Sequence, residues 1–106
     1  MRDVCFIGED VLLSVGLSPM DGVSMSEMDF DITVFTRAKK ESVEYKKSEC
    51  HRIDNNTYSL ILPTAKVGVG TIVCVVTAKI PDSRAEDGYR AAICRIDSGI
   101  MVVNPY

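Results

Sequence analysis

Hydrophobic and polar residues alternate along most of this chain with a period of two, and no stretch sustains the 3.6-residue period of an amphipathic helix. The densest apolar run, Thr71 to Ile80, is bracketed by Gly70 and Pro81. Ile72, Cys74, Val76, Ala78 and Ile80 share one face, and Thr71, Val73, Val75, Thr77 and Lys79 the other. A strand apolar on one face and half apolar on the other suits the middle of a sheet, and its β-branched density favours strand over buried helix. The cleanest alternation is Asp29 to Thr36, with Phe30, Ile32 and Val34 inward and Asp29, Asp31 and Thr33 outward. Further strands are expected at Val4–Ile7, Val11–Leu17, Thr57–Leu62 (stopped by Pro63), Tyr89–Ile96 and Ile100–Val103. Ser42–Lys47 reads as an edge strand with Val43 and Tyr45 inward and protective lysines.

The segments between them carry turn chemistry. Gly8-Glu9-Asp10 joins the first two runs either as a hairpin or as a bulge within one strand. Ser18–Gly22 is a loop, and Val23–Met28 a connector with room for one helical turn. Arg37–Glu41 is a solvated charged hairpin tip, Ser48–Ile53 is ambiguous, and Asp54-Asn55-Asn56 is a turn. Thr64–Gly70 is a loop whose Gly68-Val69-Gly70 turns the backbone into the central strand, since a lone G-x-G lacks the lysine and helix of a phosphate cradle. Pro81–Gly88 is the most turn-rich segment, and Asp97-Ser98-Gly99 is a short turn. Roughly seven or eight short, mainly antiparallel strands with a turn about every ten residues predict an all-β chain: one sandwich domain over residues 1–106, preferred to a small barrel.

Composition narrows the classes of function. With 46% hydrophobic and 25% charged residues in 106, the chain is one globular domain. A net charge of −3 argues against nucleic acid as a partner. The apolar runs are strand-length, which argues against a membrane span, and acids after Arg2 interrupt anything like a signal peptide. The expectation is therefore a chain that stays where it is made, with Cys5, Cys50, Cys74 and Cys94 reduced and packed as small hydrophobes.

No constellation points to catalysis or a cofactor. His51, the single histidine, follows Cys50 directly, and strand neighbours point to opposite faces. Four scattered cysteines lack zinc spacing. Asp82, Glu86 and Asp87 share a loop without the alternating acids of a calcium site, and Asp29 and Asp31 are explained by polar alternation. Of the methionines Met1, Met20, Met25, Met28 and Met101, the group Met20–Met28 forms either an adaptable contact surface or a loop folded over the end of the sandwich.

The motifs Asp29-Phe30-Asp31-Ile32, Tyr45-Lys46, Asp54 with Tyr58 and Leu60, Gly70-Thr71-Ile72, and Pro81-Asp82 followed by Asp87-Gly88-Tyr89-Arg90 together resemble a family of small immunoglobulin-like β-sandwiches. These occur in phages and prophages of Bacteroides-type bacteria, and the layout is similar to the N-terminal module of baseplate and tail-fibre attachment proteins. The similarity runs from about Val4 to Val103, with most weight on the Pro-Asp to Asp-Gly-x-Arg loop. It implies a non-enzymatic virion structural protein, made in the host cytoplasm, that needs no cofactor and docks on other virion proteins or self-associates as a homo-oligomer. With the chain ending at Tyr106, it would be the attachment or adaptor part alone. Contacts are expected at Met20, Met25 and Met28 and at Pro81, Asp82, Asp87, Gly88, Tyr89 and Arg90. Arg90 serves either as an interface ion-pair partner or, preferably, as a brace for the loop acids. The alternative is an accessory carbohydrate- or protein-binding sandwich of a bacterial host, although the absence of Trp and the four Tyr argue against sugar stacking. A small hydrolase ranks third.

Overall fold

The computed structural model describes residues 3–19, 22–38 and 40–106. The described residues form eight strands in two layers. They are β1 (Val4–Phe6), β2 (Asp10–Gly16), β3 (Asp29–Phe35), β4 (Val43–Lys46), β5 (His51–Asp54), β6 (Thr57–Pro63), β7 (Gly70–Pro81) and β8 (Tyr89–Val103). One sheet has the order β1-β8-β7-β3-β4 and the other β2-β6-β5. That is immunoglobulin topology: β2, β6 and β5 hold the places of strands B, E and D, and β3, β7 and β8 those of C, F and G. Pairing is antiparallel except where β1 runs parallel to the end of β8, with Val4 opposite Met101 and Phe6 opposite Val103.

Period-two patterning places the core. Phe30, Ile32 and Val34 of β3 and Ile72, Cys74, Val76, Ala78 and Ile80 of β7 are all buried, and they meet Leu13, Val15, Tyr58, Leu60 and Leu62 of the facing sheet. Phe30 and Tyr58 pack edge to face with ring centroids 4.9 Å apart.

Several joints differ from expectation. The first two runs make neither a hairpin nor a bulged strand, because β1 and β2 belong to opposite sheets. Gly8, at φ 102°, makes the crossing, and the buried Thr64 hydroxyl fixes it by accepting from Gly8 N–H (3.0 Å) and donating to the Glu9 carbonyl (2.7 Å). Asp97-Ser98-Gly99 is not a turn between two strands. The long β8 continues through it as a bulge, its register against β7 jumping between Thr71–Met101 and Val73–Asp97. Ser98 stabilises that bulge: its hydroxyl lies 2.8 Å from the Ile72 carbonyl and 3.0 Å from the Ile100 N–H. At 12 and 15 residues, β7 and β8 are also longer than the short strands expected.

The strand stops at Pro63 as expected, and Pro63 is itself the last residue of β6, paired with Asp10. The bonds Leu17 N–H to Asn56 O and Thr64 N–H to Glu9 O put the hydrogen-bonded pairs of β2 and β6 on odd-numbered residues of β2. Pro63, opposite an even-numbered residue, therefore needs no N–H toward β2. Residues 64–70 are not only loop, since Thr64–Val67 forms one turn of α-helix, α1. Gly68 and Gly70 then follow at φ 86° and 120°, and a Cβ on Gly70 would sit 3.2 Å from Arg37. The glycines thus serve close approach of the β3–β4 connection as well as the turn.

Candidate docking surfaces

The β2–β3 connection, the Asp54–Asn56 turn and the β7–β8 loop lie at one end of the sandwich, the end where variable domains carry their binding loops. Met25 and Met28 belong to this end but do not offer the contact surface expected of them. Both are fully buried, Met25 within a single 3-10 turn (Met25–Glu27) and Met28 just after it. A short connector between two sheets must plug its end of the core, and the flexible thioether fills such gaps. Met20 falls outside the described residues. Lys47 tethers the connector by donating to the carbonyls of Ser26 (2.7 Å) and Met28 (2.8 Å), with its ammonium 5.9 Å from the Phe30 ring centroid. The sequence pattern shows Lys47 only as an edge lysine; nothing local to it signals this long-range role.

The Pro81–Arg90 segment is ordered by its own polar groups. Asp82 N–H donates to the Gly88 carbonyl at 2.9 Å, and Tyr89 N–H to the Asp87 carboxylate at 3.1 Å. Arg84 grips the Asp82 carboxylate with Nε (3.0 Å) and Nη2 (2.9 Å), and its backbone N–H adds a third bond at 3.0 Å. Arg90 Nε reaches Asp82 Oδ2 at 3.3 Å, the bracing contact. The hydrogen bonds from Arg84, and then the charges of both arginines, hold the Asp82 carboxyl well below the usual carboxylate range. Pro81, Asp87, Tyr89 and Arg90 remain exposed and Gly88 half-buried, so a pre-ordered loop presents Tyr89 to solvent.

A second surface escaped the pattern reading. On the outer face of the five-stranded sheet, Val4, Phe6 and Met101 are each 45% exposed, with Val4 and Met101 directly cross-strand. Higher on the same face Ile93 is 71% exposed, and Arg95 stands 5.8 Å from the Phe35 ring centroid. Period-two alternation assigns these residues to a face but does not say whether anything covers it.

His51 is exposed on β5 and Cys50 half-buried beside it, its thiol shifted up by burial and then by Glu49. Cys74 is buried and its thiol pushed up to about 11. Among the described residues no three His, Cys, Asp or Glu side chains gather as metal ligands, and Asp82 is engaged by arginines instead. No described helix is long and apolar enough to cross a membrane. No family model, curated protein or solved structure matches this chain.

Proposed function

We propose that this chain is a non-enzymatic structural module that docks within a larger protein assembly, the assembly being a phage virion as the resemblance to attachment modules implies. The observation that carries the docking reading is the apolar patch of Val4, Phe6 and Met101 on the outer face of β1 and β8. Clustered exposed apolar side chains on a rigid sheet mark protein contacts, whereas scattered ones need no explanation. The ordered β7–β8 loop supports the same reading, because a pre-formed loop loses little conformational entropy on binding. Homo-oligomerisation through the sheet face and capture by other virion proteins are the two forms such docking takes.

Light scattering on the eluting protein and mass spectrometry of purified particles test this together. Self-association or presence in particles, abolished by the double variant Phe6→Asp with Met101→Asp, is the expected result. A strict monomer that is also missing from particles would overturn it.

A further inference from the structure

The three-stranded sheet covers a five-stranded one, and the mismatch leaves a groove of about 530 Å³ between the free edge of β2 and the inner face of β8. Val11 and Leu13 of β2 line one side, Ile96, Ser98 and Ile100 the floor, and Val4 and Cys5 of β1 close one end. The hydrogen-bonded pairs of β2 with β6 fall on odd-numbered residues, as derived above. The N–H and C=O groups of Asp10, Leu12, Ser14 and Gly16 therefore point away from β6 along the groove. Among the described residues no strand pairs with that edge.

The short edge strands among the described residues are blunted. β1 is three residues long, β4 is four residues ending in Lys46, and β5 is four residues interrupted by a register shift. β8 runs past β1, and its residues 89–99 face no described strand on that side, but this stretch carries Arg90 and Arg95 and ends in the Ser98-Gly99 bulge. The seven residues of β2 contain no lysine, proline or bulge and a single charge, Asp10, at one end, which makes β2 the least protected regular edge among the described residues. It is also the place a first strand takes beside strand B in immunoglobulin sandwiches.

From this we infer that the groove accepts an extended strand donated by a partner protein, which pairs with β2 and lays alternate apolar side chains onto Ile96 and Ile100. The charge of the groove selects among strands. Among the described residues its lining includes Asp10 and no lysine or arginine, with Asp97 at its margin facing the outer side with Arg95, so the donated strand carries a basic residue at the end that meets Asp10. Backbone bonds to β2 supply affinity, and the apolar floor with Asp10 supplies register. The inference rests on the docking reading, but its surface shares only Val4 with the patch of Val4, Phe6 and Met101.

The test uses the full chain and a synthetic seven-residue peptide, alternating valine and threonine between terminal lysines. Amide exchange followed by NMR is expected to slow at least tenfold at Leu12 and Ser14 when millimolar peptide is added. Ser14→Pro removes an outward N–H without touching the bonds to β6, and should weaken binding at least tenfold, whereas Ser14→Thr, which keeps that N–H, should bind as the parent does. Replacing the terminal lysines of the peptide by glutamate should also weaken binding severalfold. No slowing at Leu12 and Ser14 in the parent chain would overturn the inference. Slowing already present without peptide, together with dimerisation abolished by Ser14→Pro, would overturn it in favour of pairing between two copies. Loss of particle docking in the Phe6→Asp, Met101→Asp variant bears on the proposed function alone and leaves the peptide result unchanged.

Discussion

Inward-facing side chains of β3 and β7 are sealed, while those of β8 before Val102 are not. Phe30, Ile32, Val34, Ile72, Val76, Ala78 and Ile80 are at most 2% exposed, whereas Ala92, Cys94, Ile96 and Ile100 are only half-buried. The two groups are chemically alike and follow the same alternation. What separates them is the strand opposite: β2, β6 and β5 lie over the middle of the larger sheet and leave β8 incompletely covered. Burial in this protein is therefore decided by how many strands each layer has, and only secondarily by how apolar a strand is.

The largest expected effect tests the sealed side. Phe30→Ala removes the ring packed on Tyr58 and should cost about 3–5 kcal/mol, against about 1 kcal/mol for Ile96→Ala on the open side. Equal losses in urea titrations of the two variants would break the comparison. Next comes Thr64→Val, which keeps the shape but leaves the Gly8 N–H without its hydroxyl acceptor. A loss of about 1–3 kcal/mol is expected, read from the same titrations.

Thiol chemistry sharpens the contrast further. At pH 8 a thiol-specific reagent should label Cys94 in the folded protein and spare Cys74, whose pKa burial raises to about 11. A group raised in the folded state stabilises fully below its unfolded value of about 8.5, and that contribution is lost as pH rises toward 11. Melting temperature should accordingly fall on the alkaline side in the parent and less so in Cys74→Ala, relative to each protein's value at pH 7.

The smallest effect belongs to the β7–β8 loop. Asp82→Asn should leave the melting temperature nearly unchanged while amide exchange at Arg84 and Gly88 quickens severalfold, because the loop is exposed and its bonds are local. The Asp82 carboxyl is depressed, so its brace is fully present above the unfolded carboxylate value of about 3.9 and is lost as pH falls below it. Exchange at Gly88 in the parent should therefore quicken only in strong acid.

Much of the architecture was legible because alternation is local. The inward faces of β2, β3 and β7 follow directly from residue parity, and Pro81–Gly88 shows its turn chemistry in its composition. Pairing across the sheet is not local, and residue parity carries no information about it. Gly8 looks the same whether it turns a hairpin or carries the chain to the other sheet, and only Thr64, 56 residues on, decides between them. Ser98-Gly99 has turn chemistry, but it serves a bulge because β7 continues opposite it. Met25 and Met28 give no periodic signal in a connector, so their burial depends wholly on the layers they plug. The free edge of β2 is invisible in sequence, since an edge is defined by the strand that is missing beside it.

The parallel pairing of β1 with the last residues of β8 has a mechanical consequence. Both strands run the same way, and Met101 N–H to Asp3 O and Ile7 N–H to Val103 O close the two ends of the ladder. Pulling the chain before residue 3 away from the chain after residue 103 slides the two strands lengthwise, so their bonds resist in unison rather than opening one at a time. A domain strung between two anchors by its flanking chain would meet tension in its stiffest direction.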